Sequence, residues 1–93
     1  MTASHSVVVV GGGISGLVCA YALRRAGLDA ALLESSDRPG GVIRSERREG
    51  YLFEHGPQSF TATGPLLGLI REIGLEEQIV RGDPRAARFV LVQ

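Results

Sequence analysis

The stretch that decides the fold is Val7-Val8-Val9-Val10-Gly11-Gly12-Gly13-Ile14-Ser15-Gly16-Leu17. Its four β-branched residues predict a buried strand, and the apolar, alanine-rich run that follows predicts a helix. The glycines between them allow a sharp turn and leave no side chain between the backbone and a ligand. The stretch therefore predicts a strand, a tight turn and a helix whose N-terminus faces an anion.

A βαβ unit follows from this start, with strands over residues 6–10 and 30–34 around a helix over 14–27 that Gly27 ends. The continuous apolar run of the first strand is typical of a parallel sheet covered on both faces. We also expect the helix to be buried on two sides, with Cys19 as a small buried hydrophobe.

The rest of the chain predicts shorter elements. They are strands over 43–48 and 51–54 around the turn Glu49-Gly50, a helix over 65–73 with an apolar core face, a turn over 76–80 and a strand over 88–93. The fold class is therefore α/β, with the beginning of a Rossmann-like domain that these residues do not complete.

The glycines follow the pattern Gly11-x-Gly13-x-x-Gly16. Gly11 allows the turn, Gly13 lets a pyrophosphate approach the backbone, and Gly16 lets the helix pack on the strand. Glu34, 23 residues beyond Gly11, ends the second strand and can accept the hydroxyls of an adenosine ribose. The same carboxylate would repel a 2′-phosphate, which argues against NADP. A kinase loop is disfavoured because it needs a strand on both sides, and a glycine turn without a ligand would not require the acid.

NAD and FAD both satisfy these conditions, and the residues after Glu34 favour FAD. A nicotinamide domain usually continues with another helix, whereas this chain runs through Arg38-Pro39-Gly40-Gly41 into an extended segment. The second glycine pair predicts a further backbone approach to a long ligand.

Composition limits the other classes of function. The 93 residues carry ten acidic and ten basic side chains and one cysteine, and they contain no metal-ligating pattern. The alternating charges over residues 44–49 predict a solvated face and argue against a nucleic-acid surface. No stretch approaches the ~20 apolar residues of a membrane span, and no secretory signal begins the chain, so we expect a cytoplasmic location.

The run from Val7 to Phe60 resembles the N-terminus of the flavin-containing amine oxidase and protoporphyrinogen oxidase superfamily, and within it the protoporphyrinogen oxidases. The carrying motifs are Gly11-Gly12-Gly13-Ile14-Ser15-Gly16-Leu17, Glu34-Ser35, Arg38-Pro39-Gly40-Gly41-Val42-Ile43-Arg44-Ser45 and Gly50-Tyr51-Leu52-Phe53-Glu54-His55-Gly56-Pro57-Gln58-Ser59-Phe60. The resemblance covers nearly the whole chain but only about a fifth of a family member. It implies that residues 1–93 are the N-terminal part of an FAD-binding domain.

What the resemblance implies is an FAD-dependent oxidation of a porphyrinogen, protoporphyrinogen IX or coproporphyrinogen III, to the porphyrin, usually with oxygen as acceptor. Membrane contact in the family comes from a region outside this chain. The implied FAD contacts are Gly11, Gly12, Gly13, Ile14, Ser15 and Gly16 at the pyrophosphate; Glu34 and Ser35 at the ribose; Arg38, Gly40, Gly41 and Val42 along the phosphates and ribityl chain; and Gly56, Pro57, Gln58 and Ser59 near the flavin ring. Arg88 matches an arginine that faces a substrate propionate.

Two other functions are compatible with the sequence. The first is an oxidase of the same superfamily that acts on an amine or a carotenoid precursor, and the second is a non-catalytic nucleotide-binding module. We expect residues 1–93 alone to expose a sheet edge, to fold poorly and to hold no flavin.

His55 is interpreted as a loop residue with a satisfied hydrogen bond, since a catalytic base needs suitable geometry first.

Overall fold

The computed structural model describes residues 5–87, 89, 90 and 92. The chain divides into two compact units, Met1–Phe60 and Thr61–Gln93. The first unit contains β1 (Val7–Val10), α1 (Ile14–Arg25), β2 (Ala30–Leu33) and a hairpin of β3 (Ser45–Arg48) and β4 (Tyr51–Glu54). The second contains α2 (Gly64–Glu72) and a 3₁₀ turn over Glu76–Gln78.

The βαβ unit has the predicted connections. β1 and β2 pair in parallel, from Val7 opposite Ala30 to Val10 opposite Leu33. The Gly11 N–H extends the pairing by donating to the Leu33 carbonyl oxygen at 2.8 Å. The parallel arrangement sets the ends of both strands at one edge of the sheet, which brings the glycine turn beside the residue that follows β2.

Helix α1 ends at the predicted glycine. Gly27 has a φ of 86°, in the left-handed region that favours glycine. The Gly27 N–H donates to the Arg24 carbonyl oxygen and the Leu28 N–H donates to the Leu23 carbonyl oxygen, each at 3.0 Å. This pair of bonds is a Schellman motif, so Gly27 stops the helix by satisfying its last carbonyl groups.

Burial is lighter than predicted, because α1 covers only one face of the two-stranded sheet. Val7 and Val9 are half-buried, whereas Val8 is 50% exposed and Val10 is 82% exposed. Alternate side chains of a strand point to opposite faces, so one helix cannot cover all four valines. The prediction of a first strand covered on both faces is therefore wrong for the part of the chain that the structure describes.

The predicted burial of α1 is also wrong. None of its residues is buried, and Cys19, expected to be a buried hydrophobe, is exposed. Helix α1 contacts both β1 and β2, yet its apolar residues differ in exposure. Val18, Tyr21 and Leu23 are half-buried, whereas Ile14 and Leu17 are exposed. Within the described residues the most buried hydrophobic side chain is that of Ala30, which is 1% exposed.

The hairpin matches its predicted turn. β3 and β4 pair antiparallel with Arg48 opposite Tyr51, which leaves a two-residue loop of Glu49 and Gly50. Both loop residues have positive φ, 53° and 82°, as a type I′ turn requires. β3 begins at Ser45, two residues later than predicted.

The second unit is built on α2. The Thr63 hydroxyl accepts a hydrogen bond from the Leu66 N–H at 3.4 Å, and Pro65 stands in the first turn, where no N–H is needed. Gly74, with a φ of 80°, follows the helix end. The predicted core residues Leu66, Leu67, Leu69 and Ile70 are half-buried, and Ile73 is exposed, because a single short helix has little to pack against.

The predicted strand over residues 88–93 is not formed by the residues that the structure describes there. Phe89, Val90 and Val92 lie in no strand, and Arg88, Leu91 and Gln93 lie outside the described residues. A strand requires hydrogen bonds to a neighbour, and an apolar sequence alone does not supply one.

Glycine-to-alanine substitutions in the two helices should have opposite effects on stability. A Cβ at Gly16 would overlap the Gly11 carbonyl oxygen, so Gly16→Ala should lower the free energy of unfolding by about 1–3 kcal/mol. A Cβ at Gly68 in α2 meets nothing within 4 Å, so Gly68→Ala should raise it by about 1 kcal/mol. Urea denaturation of the full-length protein measures both, and equal effects would contradict the packing of α1 on the turn.

Candidate functional site

The turn between β1 and α1 depends on glycine for its shape. Gly11 has a φ of 102°, which disfavours any residue with a Cβ. Gly16, one turn into the helix, packs directly against the Gly11 carbonyl oxygen. The helix therefore starts close to the end of β1, with its N-terminus at the same edge of the sheet as the end of β2.

The N-terminus of α1 has no side-chain cap. Gly13 occupies the N-cap position with extended backbone and has no side chain to bond the first turn, and no acidic residue lies in that turn. The first N–H groups of a helix have no partner within the helix and carry partial positive charge. A Cβ at Gly13 would meet nothing within 4 Å, so the space in front of these groups is open to an anion.

Glu34 follows β2 and is bound to the glycine turn. Its Oε1 accepts a hydrogen bond from the Gly12 N–H at 2.7 Å, and its Oε2 accepts one from the Ser36 N–H at 2.8 Å. Hydrogen bonding from the Ser36 hydroxyl and N–H, and from the Gly12 N–H, lowers the pKa of Glu34 from 4.5 to about 2. The Ser36 hydroxyl also lies 2.8 Å from the Arg38 carbonyl oxygen, so its one hydrogen is shared between two acceptors.

The Glu34 carboxylate keeps capacity for a ligand. An ionised carboxylate offers about four lone-pair positions. The Gly12 and Ser36 N–H groups occupy two of them, and the shared Ser36 hydroxyl occupies part of a third. The remaining positions suit the hydroxyls of a ribose, and the negative charge disfavours a phosphate at the same place. The sequence did not single out Ser36, although a serine two residues after an acid is a local signal for such bonding.

A second loop, residues 38–43, packs on the first turn. The Gly40 N–H donates to the Gly12 carbonyl oxygen at 2.8 Å. Gly40 and Gly41 have φ values of 112° and 59°, and a Cβ at Gly41 would lie 3.2 Å from the Cα of Gly13. Gly40 and Gly41 thus lie directly beside the glycine turn after β1, as a continuous backbone surface for a long ligand would require.

A third segment adjoins this loop. The position of a Cβ at Gly56 overlaps the Val42 carbonyl oxygen, so only glycine fits there without a shift. His55 is fixed next to it: its N–H donates to the Arg44 carbonyl oxygen at 2.8 Å, and its Nε2 lies 2.7 Å from Glu46 Oε2. His55 is therefore a loop residue with satisfied hydrogen bonds, as predicted.

Backbone contacts, and one between the Glu34 side chain and Gly12, join nine of the predicted cofactor residues within the first unit. They are Gly11, Gly12, Gly13, Gly16, Glu34, Gly40, Gly41, Val42 and Gly56. Ile14 and Ser15 begin α1 and are exposed. Arg38 is bonded to its own loop, and Ser35, Pro57, Gln58 and Ser59 are exposed. The predicted substrate residue, Arg88, lies outside the described residues. Within the described residues no group of three or more His, Cys, Asp or Glu side chains could hold a metal ion.

One known family has a sequence pattern that matches most of this chain. The family model described as flavin containing amine oxidoreductase matches residues 14–93. The chain belongs to this family. Membership confirms the resemblance drawn from the motifs and indicates a flavin cofactor.

Members of the flavin amine oxidoreductase family that resemble the chain include named porphyrinogen oxidases. Protoporphyrinogen oxidase 1, chloroplastic, of Arabidopsis thaliana is 45% identical over 97% of the chain and 18% of its own length. Human protoporphyrinogen oxidase is 47% identical over 95% of the chain and 21% of its length. Coproporphyrinogen III oxidase of Propionibacterium freudenreichii is 46% identical over 84% of the chain and 15% of its length. The chain thus spans about a fifth of these family members.

Solved structures agree with the α/β fold predicted from the sequence. A protein assigned as a protoporphyrinogen oxidase from Exiguobacterium sp. 255-15 superposes with a TM-score of 0.71 at 42% identity, over 83% of this chain and 18% of that one. Putrescine oxidase bound to putrescine gives 0.66 at 38% identity, over 80% and 17%. In the described residues of the present chain, no helix has the length and apolar character needed to cross a membrane.

The Glu34 contacts predict a specific dependence of stability on pH. Because folding lowers the Glu34 pKa, its contribution to stability is present above about pH 4.5 and is lost as the pH falls toward 2. Glu34→Gln cannot ionise, so the stability difference between wild type and variant should shrink over that range. Urea denaturation of the flavin-free, full-length protein at several pH values measures it.

Ser36→Ala is the matched variant for this measurement. It removes the hydroxyl and keeps the N–H, so it should lose part of the same pH dependence. A difference between wild type and Glu34→Gln that stays constant from pH 6 to pH 3 would contradict the bonding of Glu34 in the folded chain.

Proposed function

We propose that this chain forms the ADP-binding part of an FAD-dependent oxidoreductase that converts a porphyrinogen to the porphyrin. The observation that carries the cofactor assignment is the placement of the ionised Glu34 beside an uncapped helix N-terminus, joined to it through Gly12. The porphyrinogen oxidases among its relatives support the reaction, since they match 83% to 97% of the chain.

The residues present fit the ADP portion of FAD. The open space at Gly13 and the free N–H groups of the α1 N-terminus suit the pyrophosphate. Glu34 suits the adenosine ribose, and its charge favours a ribose without a 2′-phosphate. Gly40 and Gly41 extend the same backbone surface toward the ribityl chain.

The flavin end of the cofactor is assigned to the third segment. Gly56, Pro57, Gln58 and Ser59 begin where Gly56 contacts the Val42 carbonyl group, and all but Gly56 are exposed. When bound, FAD would supply the capacity to accept electrons from the substrate. The chain's own contribution is to hold and orient the cofactor. Arg88 is proposed to face a propionate of the substrate, and oxygen to accept the electrons.

An amine substrate is the second candidate, and the similarity to putrescine oxidase supports it. That structure aligns with 80% of this chain at 38% identity. The shared region is the one assigned here to the cofactor, so it discriminates poorly between substrates.

The location proposed for the protein is cytoplasmic, with any membrane contact made through other regions. This location is compatible with either substrate.

The function is tested on the full-length protein. Flavin released by denaturation should be FAD, and addition of protoporphyrinogen IX or coproporphyrinogen III should yield porphyrin fluorescence in an oxygen-dependent manner. Putrescine and benzylamine serve as competing substrates. Oxidation of an amine without porphyrin formation would establish the second candidate, and a protein without flavin would contradict both.

Gly13→Ala should separate cofactor binding from folding. The new methyl group would occupy open space in front of the helix N-terminus, so FAD affinity should fall at least about tenfold while stability changes by about 1 kcal/mol or less. Gly82→Ala is the control, since a Cβ there also meets nothing within 4 Å but lies in the other unit. Fluorescence titration of the flavin-free, full-length protein with FAD measures the affinity, and equal affinities for the two variants would contradict the placement of the pyrophosphate.

A further inference from the structure

The guanidinium of Arg38 is bonded to three carbonyl groups of the loop that follows it. Nη2 donates to the Gly41 carbonyl oxygen at 2.8 Å, and Nη1 donates to those of Pro39 at 3.0 Å and Ile43 at 3.3 Å. A planar guanidinium with several fixed donors can bind convergent oxygens in this way, whereas a lysine ammonium is a compact point charge.

The two loop glycines are what make the three carbonyl groups converge. Gly40 and Gly41 both have positive φ, which turns the peptide oxygens inward around Arg38. A Cβ at Gly40 would lie 3.0 Å from Arg38 Nη1 and 3.1 Å from the Ile43 carbonyl oxygen. The loop therefore closes around the guanidinium, and a Cβ at Gly40 would displace Arg38 Nη1 or the Ile43 carbonyl group.

The loop in turn contacts the first glycine turn and, through it, the carboxylate of Glu34. The Gly40 N–H donates to the Gly12 carbonyl oxygen, and the Gly12 N–H donates to Glu34 Oε1. Arg38 also bonds at its backbone, since its carbonyl oxygen accepts from the Ser36 hydroxyl, and Ser36 donates its N–H to Glu34. Both routes connect Arg38 to the groups assigned to the ADP portion.

We propose that Arg38 is a positioning residue of the flavin site, whose guanidinium shapes residues 39–43 before the cofactor binds, instead of a residue whose main task is to contact phosphate. The proposal rests on the FAD-binding function proposed above. It differs from the family resemblance, which placed Arg38 beside the phosphates. The two roles differ in the flavin-free protein, where an arginine that only binds the cofactor phosphates would have no partner.

Amide hydrogen exchange of the flavin-free, full-length protein tests this. The amides of Gly40 and Ile43 are informative because each donates to a backbone carbonyl group, of Gly12 and Gly40 respectively. A charge-assisted hydrogen bond is worth about tenfold in an equilibrium constant, so Arg38→Met and Arg38→Lys should each raise exchange at these amides about tenfold or more. Arg47→Lys, an exposed arginine on β3, is the control and should change nothing there.

The amides of the β1–β2 pairing provide an internal reference and should exchange as in wild type. Exchange at Gly40 and Ile43 that is unchanged by both substitutions would overturn the proposal. A rise that extends equally to the β1–β2 amides would also overturn it, because Arg38 would then stabilise the whole unit.

FAD titration of the same variants supplies the second readout. A positioning role predicts that Arg38→Lys binds FAD about as weakly as Arg38→Met, since neither side chain can bond three carbonyl groups at once. Near-normal affinity in Arg38→Lys with lost affinity in Arg38→Met would show that Arg38 acts through its charge on a phosphate, and would overturn the proposal. If wild type binds no FAD, the proposed function fails, while the exchange experiment still decides whether Arg38 shapes the loop.

Discussion

The first unit depends on one residue without a side chain, Gly12, whose backbone is bonded on both sides. Its N–H donates to Glu34 Oε1 at 2.7 Å, and its carbonyl oxygen accepts from the Gly40 N–H at 2.8 Å. These bonds tie the turn after β1 to the end of β2 and to the second glycine loop. A Cβ at Gly12 would lie 3.2 Å from three atoms of Glu34, so the close approach requires glycine or a displaced carboxylate.

The same constraint recurs at the other close approaches. Gly16 packs on the Gly11 carbonyl oxygen, Gly41 on the Cα of Gly13, and Gly56 on the Val42 carbonyl oxygen. Because the contacts join backbone to backbone, the relative positions of the loops do not depend on side-chain rotamers. This arrangement suits a binding surface for a long cofactor, which must be held at several points in a fixed order.

The sequence predicted features that local rules decide and missed those that depend on neighbours. Gly27 ends α1, Glu49 and Gly50 form the hairpin turn, and β1 pairs in parallel with β2, because each follows from backbone chemistry or from the βαβ connection. The exposure of Cys19 could not be predicted, because apolar residues lie on most of the surface of α1. Their spacing therefore does not single out the side that faces the sheet.

The candidate site divides in a similar way. The contact between the glycine turn and Glu34 could be predicted, because the βαβ connection sets the ends of β1 and β2 side by side. The bonds of Ser36 and Arg38 could not, because they join residues that only the folded loop brings together. The pattern Arg38-Pro39-Gly40-Gly41 suggested proximity to a ligand. It did not reveal that the guanidinium is bonded to the loop's own carbonyl groups.

The contacts of Glu34 also explain how one small site can offer opposite charges to one ligand. A carboxylate near a helix N-terminus would ordinarily bond the free N–H groups there, and would then block them. Here the Gly12 and Ser36 N–H groups bind both oxygens of Glu34, and the first turn of α1 keeps no side-chain cap. The carboxylate is thus held beside the helix N-terminus and not on it. The negative charge of Glu34 is then available to hydroxyl groups, and the positive charge of the helix N-terminus to an anion, both beside the same glycine turn.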